Sequence, residues 1–96
     1  MTAKNGKKIL AFYIDGCPYC KQARKAVDEL TNETQYAGVQ IEWVNENQHP
    51  EISERYDYYY VPTMFVNDVK IYEAKRGETY EECRENVKHV FDSSLA

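Results

Sequence analysis

The sequence predicts a single α/β domain: a four-stranded mixed sheet with helices on both faces, in the order β-α-β-α-β-β-α. Three observations carry that expectation. The run ILAFYI, Ile9 to Ile14, is apolar on both parities and gives way at Pro18 to a helical period. The stretch VQIEWV alternates, with Val39, Ile41 and Trp43 on one parity. Two further strand-like runs, TMFV and VKIYEA, are separated only by Asn67-Asp68, a pair suited to a tight hairpin turn.

Taken in order, ILAFYI reads as a strand buried on both faces. Beyond it, Cys20, Ala23, Val27 and Leu30 recur at spacings of three and four, which is one face of a helix. Gly38 and its neighbours are expected to break that helix. VQIEWV then makes the second strand. NENQHP is a loop, with Pro50 suited to the first helical position, and EISERY a short helix. The hairpin follows and ends at Gly77. A last helix starts near Glu78 and places Tyr80, Cys83, Val87, Val90 and Phe91 on one face. The first crossover implies a parallel strand pair, and the hairpin adds an antiparallel edge.

The chain has 96 residues, which suits one domain spanning 1–96. A net charge of −4 does not fit a nucleic-acid partner, which requires a strongly basic face. No apolar run is long enough to cross a bilayer. The N-terminal run meets Asp15 and a cysteine pair instead of a small-residue cleavage site, so it reads as a strand and not as a secretory signal. Three cysteines are an odd, low count, unlike a secreted disulfide framework. A cytoplasmic monomer, away from membranes, is the expectation.

The chemistry concentrates in Cys17-Pro18-Tyr19-Cys20. A zinc site usually needs four ligands, and the further candidates, His49, His89 and Cys83, form no second pair. His49 reads as a solvated loop residue and His89 as a surface residue of the last helix. A Cys-x-x-Cys pair between a buried strand and a helix is instead the arrangement of a redox dithiol. Cys17 falls at the helix start, where free N–H groups and the helix dipole favour a thiolate. Asp15 opposes this by like-charge proximity. Cys20, one turn on and more buried, is the resolving thiol. Lys21, Arg24 and Lys25 add positive charge beyond the pair, with Arg24 and Lys25 read chiefly as a solvated helix face.

These residues resemble a known family. CPYC after the strand ILAFYI resembles the active site of dithiol glutaredoxins, and YYVPT, Tyr59 to Thr63, resembles the Val-Pro step of the thioredoxin superfamily. The element order is similar to the minimal thioredoxin fold, so the resemblance covers nearly the whole chain. It implies a cis bond before Pro62, a Val61 backbone that meets extended substrate, and a Pro62 that packs on the dithiol. It further implies a glutaredoxin-like thiol–disulfide oxidoreductase that reduces protein disulfides or glutathione mixed disulfides through Cys17 and Cys20. Substrate contacts are expected at Pro18, Tyr19, Tyr60, Val61, Pro62 and Gly77. No metal or prosthetic group is required, with glutathione as a candidate reducing co-substrate.

The departures keep the electron donor open. Glutathione-using relatives carry a basic residue where this chain has Ile14, and a Gly-Gly step where it has only Gly77. NENQHPEISERY and YEAKRGETYEE look more like thioredoxin, yet that family's Trp-Cys-Gly-Pro-Cys motif is absent, and Ala11 stands where it places a buried carboxylate. A thioredoxin-type reductase fed by thioredoxin reductase is the alternative. A non-catalytic module holding metal or an iron–sulfur cluster through Cys17 ranks below both.

Three further features are read structurally. Cys83, on the apolar stripe of the last helix, is expected to be buried and inert. Among Tyr56, Tyr58, Tyr59 and Tyr60, Tyr56 and one or two others should pack in the core, the rest forming an aromatic wall beside the site. Glu78, Glu81, Glu82 and Glu85 would complement the dipole in the early turns of the last helix.

Overall fold

The computed structural model describes residues 7–96, so the first six positions of the expected 1–96 domain lie outside the described residues. Its elements are β1 (Ile9–Tyr13), α1 (Pro18–Thr31), β2 (Ile41–Asn45), α2 (Pro50–Ser53), β3 (Thr63–Val66), β4 (Val69–Glu73) and α3 (Tyr80–Leu95), with a short 3-10 turn at Thr34–Tyr36. The sheet order is β2-β1-β3-β4. β1 runs parallel to β2 and antiparallel to β3, and β3 pairs antiparallel with β4. The expected element order and mixed sheet are therefore present. Among the described residues no helix is long and apolar enough to cross a membrane.

The period of two along β1 divides the core. Ile9 and Ala11 face α1 and α3, packing with Ala23, Val27, Leu30, Val87 and Phe91. Phe12 faces the opposite side with Val44 and Phe65. On that second side the expected helical cover is a single turn, α2, whose Ile52 packs half-buried against the cluster. Aromatic rings complete it. Phe12 stacks on Tyr58 at 5.0 Å and meets Tyr56 at 5.2 Å. Burying each such ring contributes roughly 1.5–3 kcal/mol. The core role expected of Tyr56 therefore extends to Tyr58, while Tyr59 and Tyr60 are 82% and 60% exposed.

Several boundaries differ from the sequence expectation, each for a local reason. α1 stops at Thr31, well before Gly38. Asn32, a poor helix former, caps it, and the Thr31 hydroxyl donates to the Asp28 carbonyl at 3.1 Å. Tyr36 of the following turn is buried, and its hydroxyl donates to Asp92 on α3 at 2.6 Å. Val39, Ile41 and Trp43 do pack on the α1/α3 side but are only half-buried, because β2 is an edge strand. Arg24 and Lys25 lie on a solvated helix face, as expected, and each also sits over an aromatic ring. The Arg24 guanidinium lies 4.2 Å from the Trp43 ring centre and the Lys25 ammonium 4.7 Å from that of Tyr80.

The hairpin turn has Asn67 and Asp68 at φ of 51° and 66°, the left-handed pair that a two-residue turn requires. α3 begins two residues later than expected. Thr79 caps it, accepting the Glu82 N–H at 3.1 Å while the Glu82 carboxylate accepts the Thr79 N–H at 2.9 Å. Glu78 therefore lies outside the helix and is buried, so it is not one of the dipole-complementing acids.

Candidate active site

Gly16, with φ of 75°, turns the chain from β1 into α1 in a conformation open to glycine and strained for other residues. Cys17 follows in extended geometry as the N-cap of α1, and Pro18 takes the first helical position. The Cys17 sulfur accepts the Cys20 N–H at 3.2 Å. That bond satisfies one of the free donors at the helix start and strengthens with negative charge on sulfur. On its other side the half-buried Cys17 thiol points to the Val61 carbonyl at 3.8 Å.

Cys20 lies one turn behind and is 5% exposed. Burial first, and then its hydrogen bond with Cys17, push the Cys20 thiol up to about 12. A backbone hydrogen bond from Ile14 opposes that shift, and the charge of Glu46 adds to it. The two sulfurs therefore differ in kind: one accessible and capped by a donor, the other held protonated behind it. Both are free thiols.

Val61 and Pro62 come from the segment before β3, and the bond between them is cis, as the family resemblance implies. Pro62 is buried, and its carbonyl accepts the Ala74 N–H at 3.0 Å. The preceding residues are tied to β4 by side chains: the Glu73 carboxylate accepts the N–H groups of Tyr59 and Tyr60 at 2.5 and 2.8 Å, and the Lys70 ammonium donates to the Asp57 carbonyl at 3.3 Å. The Thr63 hydroxyl donates back to the Tyr60 carbonyl.

Tyr19, expected from the sequence to contact substrate, is half-buried against the core, and its hydroxyl accepts the Gly77 N–H at 2.7 Å. The motif is thereby joined to the loop before α3. Gly77, with φ of 83°, holds that loop's turn. Sequence reasoning missed this bond and the acid beneath it. Glu78 accepts the Tyr72 hydroxyl and, at 3.4 Å, the Lys75 N–H. The Tyr72 hydroxyl also lies 3.6 Å from the Cys83 sulfur. Cys83 is fully buried, and burial pushes its thiol up to about 11. The capping signal TYEE was present in the sequence and could have placed the start of α3, and with it Glu78. Among the described residues, no three His, Cys, Asp or Glu side chains gather as a metal site.

With this geometry in hand, the relatives are informative. A thioredoxin-domain family model matches residues 7–89. A thioredoxin of Methanocaldococcus jannaschii is 35% identical over 72 residues, covering 74% of this chain and 84% of that protein. Oxidised thioredoxin from Plasmodium falciparum superposes with a TM-score of 0.64 at 18% identity, over 96% of this chain and 84% of that one. A mutant thioredoxin from Halobacterium salinarum gives 0.62 at 17%, over 96% and 77%. These two share the fold. The matches favour the thioredoxin type over the glutaredoxin type.

Proposed function

This chain belongs to the thioredoxin domain family, and from that premise we propose that it is a thioredoxin-type thiol–disulfide oxidoreductase that reduces disulfides in proteins. The observation that carries this reading is the pairing of a half-buried Cys17 sulfur at a helix N-cap with a Cys20 thiol that is 5% exposed one turn behind it. Cys17, as thiolate, attacks one sulfur of the substrate disulfide. A mixed disulfide forms, and the departing substrate sulfur takes a proton from solvent. Cys20 then loses its proton and attacks the Cys17 sulfur, releasing the second substrate thiol. The substrate gains two electrons and two protons, and the chain is left with a Cys17–Cys20 disulfide. A dithiol-bearing reductase restores it, and no metal or prosthetic group takes part.

The Val61 carbonyl, 3.8 Å from the Cys17 sulfur, is placed to meet an extended substrate backbone. Pro18 and Pro62 shape the walls, and the exposed ring of Tyr60 offers contact area. Glutathione as donor is less well supported. The Gly77 N–H already donates to Tyr19 at 2.7 Å, and Ile14 brings no charge. The experiment is NADPH consumption with a disulfide protein as acceptor, coupled either to thioredoxin reductase or to glutathione with glutathione reductase. Turnover with thioredoxin reductase that is lost in Cys17→Ser supports the reading. Turnover only with glutathione, or full activity of Cys17→Ser, overturns it.

A further inference from the structure

A groove runs beside the reactive sulfur, lined by Tyr19, Tyr60, Val61, Ala74, Lys75 and Arg76. Its floor is apolar and its rim carries two cations. Lys75 and Arg76 are exposed, and among the described residues neither takes part in an ion pair. The chain around them is acidic, with a net charge of −4. Of the other cations, Arg24 lies over Trp43, Lys70 is paired with Glu73 at 2.8 Å, and Lys21 borders a separate pocket with Asp15, Cys17 and Cys20.

The loop that carries the two cations is held in place from both sides. The Lys75 N–H donates to buried Glu78, and the Gly77 N–H donates to Tyr19 inside the cysteine motif. The position of the charges is therefore coupled to the position of Cys17. Lys75 and Arg76 also border a second pocket, which they share with Glu78, Glu81, Glu82 and Glu85. Among the described residues these acids make no ion pair with Lys75 or Arg76, so both cations keep their charge uncompensated by direct contact.

We propose that this groove selects disulfide polypeptides that carry an acidic side chain within about two residues of the attacked cysteine, the apolar floor taking the neighbouring side chain. The proposal rests on the oxidoreductase reading above and adds the class of substrate. A preference of about five- to tenfold is expected, which is about 1–1.4 kcal/mol and falls within what two exposed charge pairs contribute together.

The probes are three cysteine peptides activated as mixed disulfides with neutral 2-thiopyridine, their neighbouring residue being Asp, Asn or Lys. Cys17 of the reduced protein attacks the peptide sulfur, the pyridyl sulfur leaves as pyridine-2-thione, and its absorbance gives the rate. The Asp peptide should react about five- to tenfold faster than the Lys peptide. That ratio should shrink towards one as salt rises from about 0.05 M to about 0.5 M. In Lys75→Glu/Arg76→Glu it should fall below one. Equal rates for the Asp and Lys peptides, a ratio indifferent to salt, or an unaltered ratio in the double variant overturns the proposal. No reaction of the wild-type protein with the neutral Asn peptide would instead overturn the oxidoreductase reading, which keeps the two failures apart.

Discussion

Glu73 ties the segment before Pro62 to β4 through two backbone hydrogen bonds, and removing it should loosen the wall facing Cys17. Its carboxylate accepts two N–H groups, from Tyr59 and Tyr60, and pairs with Lys70 at 2.8 Å. Hydrogen bonds to a charged group contribute about 1.5–3 kcal/mol each when desolvated, but the freed N–H groups of two exposed residues regain water, so Glu73→Ala should cost about 1–2 kcal/mol in total. For a domain of this size that lowers Tm by about 5–15 °C. Glu73→Gln keeps one acceptor and should lose less.

The pH dependence gives a second reading of the same contact. Burial pushes the Glu73 carboxyl up, but Lys70 and the two backbone donors outweigh it and hold it below the ordinary glutamate range. A carboxylate lowered in this way stabilises the fold fully above about pH 4.3, its unfolded value, and loses that contribution as pH falls through the native one. Circular-dichroism melts of reduced wild type and Glu73→Ala should therefore differ at neutral pH and converge in acid. Identical neutral melts, or a gap undiminished in acid, would refute the role assigned to Glu73.

Two further predictions concern groups raised by burial. Tyr36, Tyr56, Tyr58, Tyr72 and Tyr80 are all held above the ordinary tyrosine range, burial being the first cause in each. Groups raised in the native state contribute stability below about pH 10 and lose it as pH rises through their native values. Urea midpoints should fall from about pH 10 upward, with tyrosinate absorbance rising together with unfolding; a flat midpoint would contradict this. Iodoacetamide at neutral pH should label native Cys17 and leave Cys83 untouched until urea is added, because the Cys83 thiol is fully buried and pushed up to about 11. Stoichiometric labelling of native Cys83, read by mass spectrometry, would show that its burial does not protect it.

The parts of the molecule legible in the sequence are those specified by neighbours in the chain. The change of period at Pro18 marked β1 and α1, and it placed Cys17 at the helix start without reference to any distant residue. Asn67-Asp68 announced the hairpin through the backbone geometry those residues tolerate. What stayed hidden depends on contacts across long sequence separations. The Tyr19–Gly77 bond spans 58 positions, and neither residue carries a local sign of the other. Glu78 read as a helix acid because burial of a glutamate depends on Tyr72 arriving from the neighbouring strand. The second face of the sheet carries the expected helix, but only as one turn, and which tyrosines share the cover with Ile52 depends on Phe12 and Phe65 arriving from distant strands.

In the mechanism proposed above, Cys17 makes the mixed disulfide and Cys20 resolves it. Reduced Cys20→Ser, mixed with a disulfide-containing protein and mapped by mass spectrometry after acid quenching, tests this directly. A persistent adduct on Cys17, which wild type forms only transiently, is the expected result. An adduct on Cys83, or equally brief adducts in both proteins, would contradict it.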